Sequence, residues 1–115
     1  MDCGNKDATI HTNERVLEDL GNIISESAII HDSEIIEPCF ISNNVVIKNS
    51  KIGPYVAIGH NTSVKDSSVE RTIIQSDTEI KSSNLKNSMI GNKVLFEGGR
   101  DLKEVSVGDY SQIKS

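Results

Sequence analysis

The sequence carries a repeat whose period is neither that of a helix nor that of an isolated strand. Large aliphatic residues recur at Ile24, Ile30, Ile35, Ile41, Ile47, Ile52, Ile58, Val64, Val69, Ile74, Ile80, Leu85 and Ile90, then Phe96, in steps of five or six. A helical face repeats every three or four residues and a strand face every two, so another geometry is required. Two residues before most of these positions stand smaller ones: Ala28, Ser33, Cys39, Val45, Ser50, Val56, Thr62, Ser67, Thr72, Thr78, Ser83, Ser88 and Val94. A spacing of two puts both side chains on one face of a strand. Each unit therefore reads as a short strand with two inward residues, followed by a bend.

Taking every third unit sorts the large residues into three columns. Ile30, Ile47, Val64, Ile80 and Phe96 form one, and Ile35, Ile52, Val69 and Leu85 a second. Ile24, Ile41, Ile58, Ile74, Ile90 and Val107 form the third. A three-sided coil of 16 or 17 residues satisfies these spacings, and about five such coils fit the length. Like residues then stack at about 4.8 Å along the axis. Gly53, Gly59, Gly91 and Gly108 directly follow inward positions, and Asn43, Asn44, Asn49, Asn61 and Asn92 fall at or near bends. These types tolerate the backbone angles of tight turns, and Pro54 fits a corner where no ladder donor is needed. An antiparallel sandwich also has short strands and polar turns, but its strands are usually longer and its loops distinct. The expected fold is thus a parallel β-helix from about Ile24 onward. The segment Glu97-Gly98-Gly99-Arg100-Asp101-Leu102-Lys103-Glu104 is expected to interrupt the stacking as a solvated corner loop before Val105 resumes it. Such loops commonly carry partner or ligand contacts.

Before the repeat, a helix from about Lys6 to Leu20 is expected, with Val16, Leu17 and Leu20 sharing an apolar face and Gly21 ending it. The chain has no Trp, two Phe and two Tyr, so its core must be aliphatic. Its net charge is −5, and its Lys and Arg look scattered rather than gathered into a stripe. An acidic chain without a basic face is a poor binder of nucleic acid or anionic membrane. No apolar run reaches the length of a membrane span. Cys3 and Cys39 are far apart with no metal-ligand spacing, which suggests a reducing, cytoplasmic setting. Cys39 falls at a small inward position, where packing is the simpler role.

The repeat, in segments such as Ile52-Gly53-Pro54-Tyr55-Val56-Ala57-Ile58-Gly59, resembles the left-handed β-helix of hexapeptide-repeat proteins. Left-handed winding is what that resemblance implies. The full expectation is an all-β fold, a left-handed parallel β-helix of about five three-sided coils preceded by one short α-helix. The opening segment, Asp2-Cys3-Gly4 through Glu18, resembles the closing part of the catalytic domain of sugar-1-phosphate nucleotidylyltransferases. There an Asp-x-Gly motif follows an aromatic residue and precedes a helix with an Asn-Arg-like stretch. Asn13 and Arg15 match that stretch in part, and Met1 stands where the aromatic would be. Residues 1–22 are then the tail of a nucleotidyltransferase domain with its linking helix, and residues 23–115 the β-helix. Together they look like the C-terminal part of an NDP-sugar pyrophosphorylase of the glucose-1-phosphate thymidylyltransferase type.

The resemblance implies nucleotidyl transfer from an NTP to a sugar 1-phosphate in the complete enzyme, with Mg²⁺ and a Gly-rich phosphate loop. This chain has no such loop, and no cofactor is expected for it alone. Asp2 matches the metal-binding Asp of the motif, but one carboxylate makes no metal site. The β-helix is expected to serve oligomerisation and regulation as a homo-oligomer, with a trimer favoured, joined to an N-terminal nucleotidyltransferase domain that this chain lacks. The enzyme alternative within hexapeptide-repeat proteins is acetyl transfer from acetyl-CoA to an amino-sugar phosphate. Its general base would be a corner His, a residue whose ordinary pKa suits proton transfer near neutral pH. His60, directly after Ile58-Gly59, is the candidate. An exposed corner residue is the plainer reading of both His60 and His31, and His11 on the helix is assigned no chemistry.

Overall fold

The computed structural model describes residues 6–99 and 101–114. Among the described residues, seventeen strands of two or three residues follow one helix, α1 (Lys6–Leu20). The strands lie in three parallel sheets of six, six and five strands. Sequence-consecutive strands fall on different sheets, so the chain winds round a three-sided parallel β-solenoid of about five turns.

The register reproduces the three columns. In the first sheet Ile24 lies opposite Ile41, Ile41 opposite Ile58, Ile58 opposite Ile74, Ile74 opposite Ile90 and Ile90 opposite Val107. In the second, Ile30, Ile47, Val64, Ile80 and Phe96 stack in order and Ile113 continues them. The third stacks Ile35, Ile52, Val69 and Leu85. From Ile41 to Phe96 these residues are at most 1% exposed, and they form one aliphatic core with Cys39, Val45, Val56 and Val94. No coil can bury its own inward face, so each Ile gains its roughly 1.5–3 kcal/mol only from the coils above and below.

The smaller inward residues satisfy the corners. Ser50 Oγ donates to Lys48 O at 2.7 Å, Ser67 Oγ to Lys65 O at 2.7 Å and Ser83 Oγ to Lys81 O at 2.7 Å. Each of these hydroxyls also accepts an amide from the next coil: Ser67 N–H to Ser50 at 3.1 Å, Ser83 N–H to Ser67 at 3.1 Å and Gly98 N–H to Ser83 at 2.8 Å. Thr62 and Thr78 do the same along another corner. These buried hydroxyls therefore pair corner amides that the strand ladder cannot reach.

The corner geometry corrects one expectation. The left-handed backbone conformation falls on residues that directly precede small inward positions: Asp32, Asn49, Asp66 and Ser82 on one corner, Asn44, Asn61, Asp77 and Lys93 on another, and Tyr55, Arg71 and Asn87 on the third. Gly59, Gly91 and Gly108 do not adopt it. Gly59 is required instead for closeness, because a Cβ there would stand 2.8 Å from Gln75 C and 2.9 Å from Ser76 N of the next coil.

Two further expectations are corrected. Stacking resumes at Leu102, not Val105, since Leu102 pairs with Asn84 and Lys103 with Leu85. Lys103 thus takes an aliphatic position in the last coil and ends that column with a charge. In α1 the buried residues are Ile10 and Leu17, each 2% exposed, while Val16 and Leu20 face outward at 46% and 60%. The buried pair at i and i+7, with half-buried Asn13 and Glu14 between, forms one helical face. Its partners on the solenoid decide the choice, as described below. Gly21 ends the helix as expected, at φ 77° with its N–H bonded to Leu17 O at 2.8 Å.

Candidate functional site

Asp2 and Cys3, with the metal role implied for Asp2, lie outside the described residues. Among the described residues no group of three or more His, Cys, Asp or Glu is placed to hold a metal ion.

His60 stands exposed on the corner between the first and second sheets. Its Nδ1 lies 3.1 Å from Ser76 Oγ in the next coil. Ser76 N–H donates to Asn92 Oδ1 at 3.0 Å, and Asn92 N–H to Asp109 Oδ1 at 2.7 Å. A Ser–His contact is the first element of a nucleophile and base, but catalysis also needs a third group to orient the imidazole. Among the described residues no carboxylate meets His60, whose side chain is exposed to solvent. The arrangement is a polar corner ladder, and its period of 16 or 17 residues hid it in the linear sequence. His31 is likewise exposed, and His11 on α1 lies 3.7 Å from Glu14.

Helix α1 is fastened to the corner between the third and first sheets. Glu14 Oε2 lies 2.6 Å from Arg71 Nε, and Tyr55 Oη donates to Glu18 Oε2 at 3.1 Å. The hydrogen bond to Glu18, helped by that carboxylate's charge, raises the Tyr55 phenol above its ordinary pKa. These two partners, on successive coils, rotate α1 so that Ile10 and Leu17 turn inward. Cys39 is buried as expected, with Sγ 3.1 Å from Ile36 O, and burial pushes its thiol pKa up. An unreactive core thiol follows.

The lysines are not scattered. Lys48, Lys65 and Lys81 occupy one register row on the outer face of the second sheet, with His31 before them. Linear reading missed this basic stripe because a full coil separates its members. Lys81 pairs with Glu79 at 3.2 Å, whereas Lys48 and Lys65 have no carboxylate partner among the described residues. Next to the stripe, the corner between the second and third sheets forms an open groove of about 520 Å³. Asn49, Lys51, Asp66, Ser68, Ser82 and Asn84 line it, and Gly99 of the long corner loop borders it. Neither this groove nor two smaller ones, of about 420 and 310 Å³, is lined by His60.

The fold thus defines a parallel β-solenoid with a docked N-terminal helix, and no described constellation on it has the form of a catalytic centre. No family model matches the chain. Over 85 residues it is 41% identical to a Schizosaccharomyces pombe protein described as "Probable mannose-1-phosphate guanyltransferase", a match covering 72% of this chain and 18% of that protein. The chain therefore spans less than a fifth of the relative it matches. The similarity relates this β-solenoid to part of a nucleotidyltransferase.

Proposed function

We propose that this chain is the C-terminal β-helix domain of a sugar-1-phosphate nucleotidylyltransferase, acting in assembly and regulation rather than in the transfer itself. The observation that carries the reading is the 41% identity over 85 residues to the guanyltransferase of the fission yeast. The resemblance of Asp2-Cys3-Gly4 and the following helix to the end of a nucleotidyltransferase catalytic domain points the same way. The relative's description names mannose 1-phosphate and a guanylyl group. That supports the sugar-1-phosphate class broadly, and the thymidylyl type has no separate support.

In the complete enzyme the reaction joins the α-phosphate of an NTP to a sugar 1-phosphate and releases pyrophosphate. Mg²⁺ would neutralise the phosphates there. The role of this chain is to hold copies of the enzyme together, with a homotrimer as the expected order. In the S. pombe enzyme, the matched stretch should be replaced by that of this chain. The chimera is expected to keep both nucleotidyl transfer and its assembly state. A folded chimera that loses both, or Mg²⁺-dependent pyrophosphate release by the 115-residue chain alone, overturns the reading.

A further inference from the structure

We infer that the groove on the corner between the second and third sheets is a binding site for a phosphorylated sugar. The choice of sugar phosphate over other polar anions rests on the function proposed above, while the groove's chemistry is independent of it. The corner joins two kinds of recognition group. Along its floor and walls stand a carboxylate, carboxamides and hydroxyls, namely Asp66, Asn49, Asn84, Ser68 and Ser82. Such groups match the alternating donors and acceptors of a polyol. On its flanks stand ammonium groups: Lys51 lines the groove, and Lys48, Lys65 and Lys81 each directly precede a corner residue that lines it.

The unpaired positive charge concentrates on Lys48 and Lys65, whose register neighbours are His31, each other and Lys81, whereas Lys51 lies opposite Glu34 and Lys81 opposite Glu97. Lys48, Lys65 and Lys81 stack at about 4.8 Å, a spacing at which like charges on neighbouring strands repel. Glu79 relieves Lys81 alone, at 3.2 Å. An anion bound alongside the row would relieve the others. Asp66 is held by Asn49 Nδ2 at 2.8 Å, which fixes it as an acceptor for a sugar hydroxyl and sets it apart from the lysines. A volume of about 520 Å³ accommodates a hexose phosphate with water. The site is open, so binding is expected to be weak and governed by the phosphate charge.

The test is a titration of the 115-residue chain with mannose 1-phosphate, inorganic phosphate and mannose, followed through its amide NMR spectrum. Mannose 1-phosphate is expected to shift the amides of Ser67, Ser82 and Ser83 at about millimolar concentration, and each of the other two probes about tenfold more weakly. Lys51→Met with Lys65→Met is expected to weaken binding about tenfold at an unchanged melting temperature. Lys86→Met, toward the opposite corner, should leave it unaltered. The inference is overturned if no shifts localise to this corner, if phosphate alone binds as well as the sugar phosphate, or if the lysine pair is indifferent. Such a result with a chimera that keeps transfer and assembly removes this site and leaves the proposed function standing; a folded chimera that loses both removes that function.

Discussion

Glu14 and Arg71 form an ion pair between α1 and the solenoid, with Oε2 2.6 Å from Nε, and the two sides of this pair differ in burial. The Glu14 side chain is 14% exposed and that of Arg71 40%. Arg71→Met leaves a carboxylate stranded at a mostly buried seat and is expected to cost about 2 kcal/mol, between the values for exposed and buried pairs. Glu14→Gln keeps a carbonyl oxygen facing the buried Arg71 Nε, on a side chain that is 40% exposed elsewhere, and should cost less than about 1 kcal/mol. Denaturant unfolding, with hydrogen exchange of the α1 amides, measures both, and equal costs would show that the pair's burial asymmetry is immaterial.

Ile58 lies in the middle of a column at 0% exposure, whereas Ile24 begins the same column at 38%. Ile58→Asp is expected to lose about 4 kcal/mol or more by placing a carboxylate among aliphatic neighbours. Ile24→Asp should cost less than half of that, because water reaches the open first coil. Thermal melts by circular dichroism separate the two.

Ser67 Oγ accepts Ser83 N–H at 3.1 Å while donating to Lys65 O at 2.7 Å. Ser67→Ala strands that amide and should cost about 1–3 kcal/mol. Ser68→Ala, on the outer face one residue on, should be near neutral. Similar losses in both variants would mean that the hydroxyl ladder adds nothing.

Gly59→Ala pushes a Cβ against the backbone of Gln75 and Ser76, with an expected loss of about 1–3 kcal/mol. Gly108→Ala meets nothing within 4 Å and should be tolerated. If the two variants melt alike, the coils yield more than their spacing implies.

Cys39 holds its proton more tightly in the folded state than in the unfolded chain, because burial disfavours the thiolate. Its folded pKa is raised, so its contribution to stability is complete below the ordinary thiol range and is lost as pH rises from there through the raised folded value. Cys39→Ala should remove that part of the alkaline decline in melting temperature. An unchanged alkaline slope would assign the decline to other groups.

The solenoid was legible because its signal is redundant: Ile41, Ile58, Ile74 and Ile90 repeat one inward position coil after coil. The face of α1 was not legible. Ile10, Val16, Leu17 and Leu20 offer more than one apolar stripe, and the choice between them lies with Arg71 and Tyr55, far along the chain. The surface suffered the same loss. Lys48, Lys65 and Lys81 read as isolated charges, and His60 as a residue without a partner, because their neighbours are one coil away. Core positions are written in every repeat, while surface relationships are written between repeats.

The column register also limits how this chain can change its length. A corner absorbs one residue, since Ile41 to Ile58 takes 17 and Ile58 to Ile74 takes 16, but a larger change keeps the columns only as a full turn, which returns each side chain to an equivalent place. Helix α1 acts as a gauge on that count, since it grips Tyr55 on one coil and Arg71 on the next. A turn inserted between those two residues would part the grips by another 4.8 Å or about that, and one would have to let go. A turn inserted after Thr72 passes beyond the gauge, so growth and loss of coils are free only toward the C-terminal end.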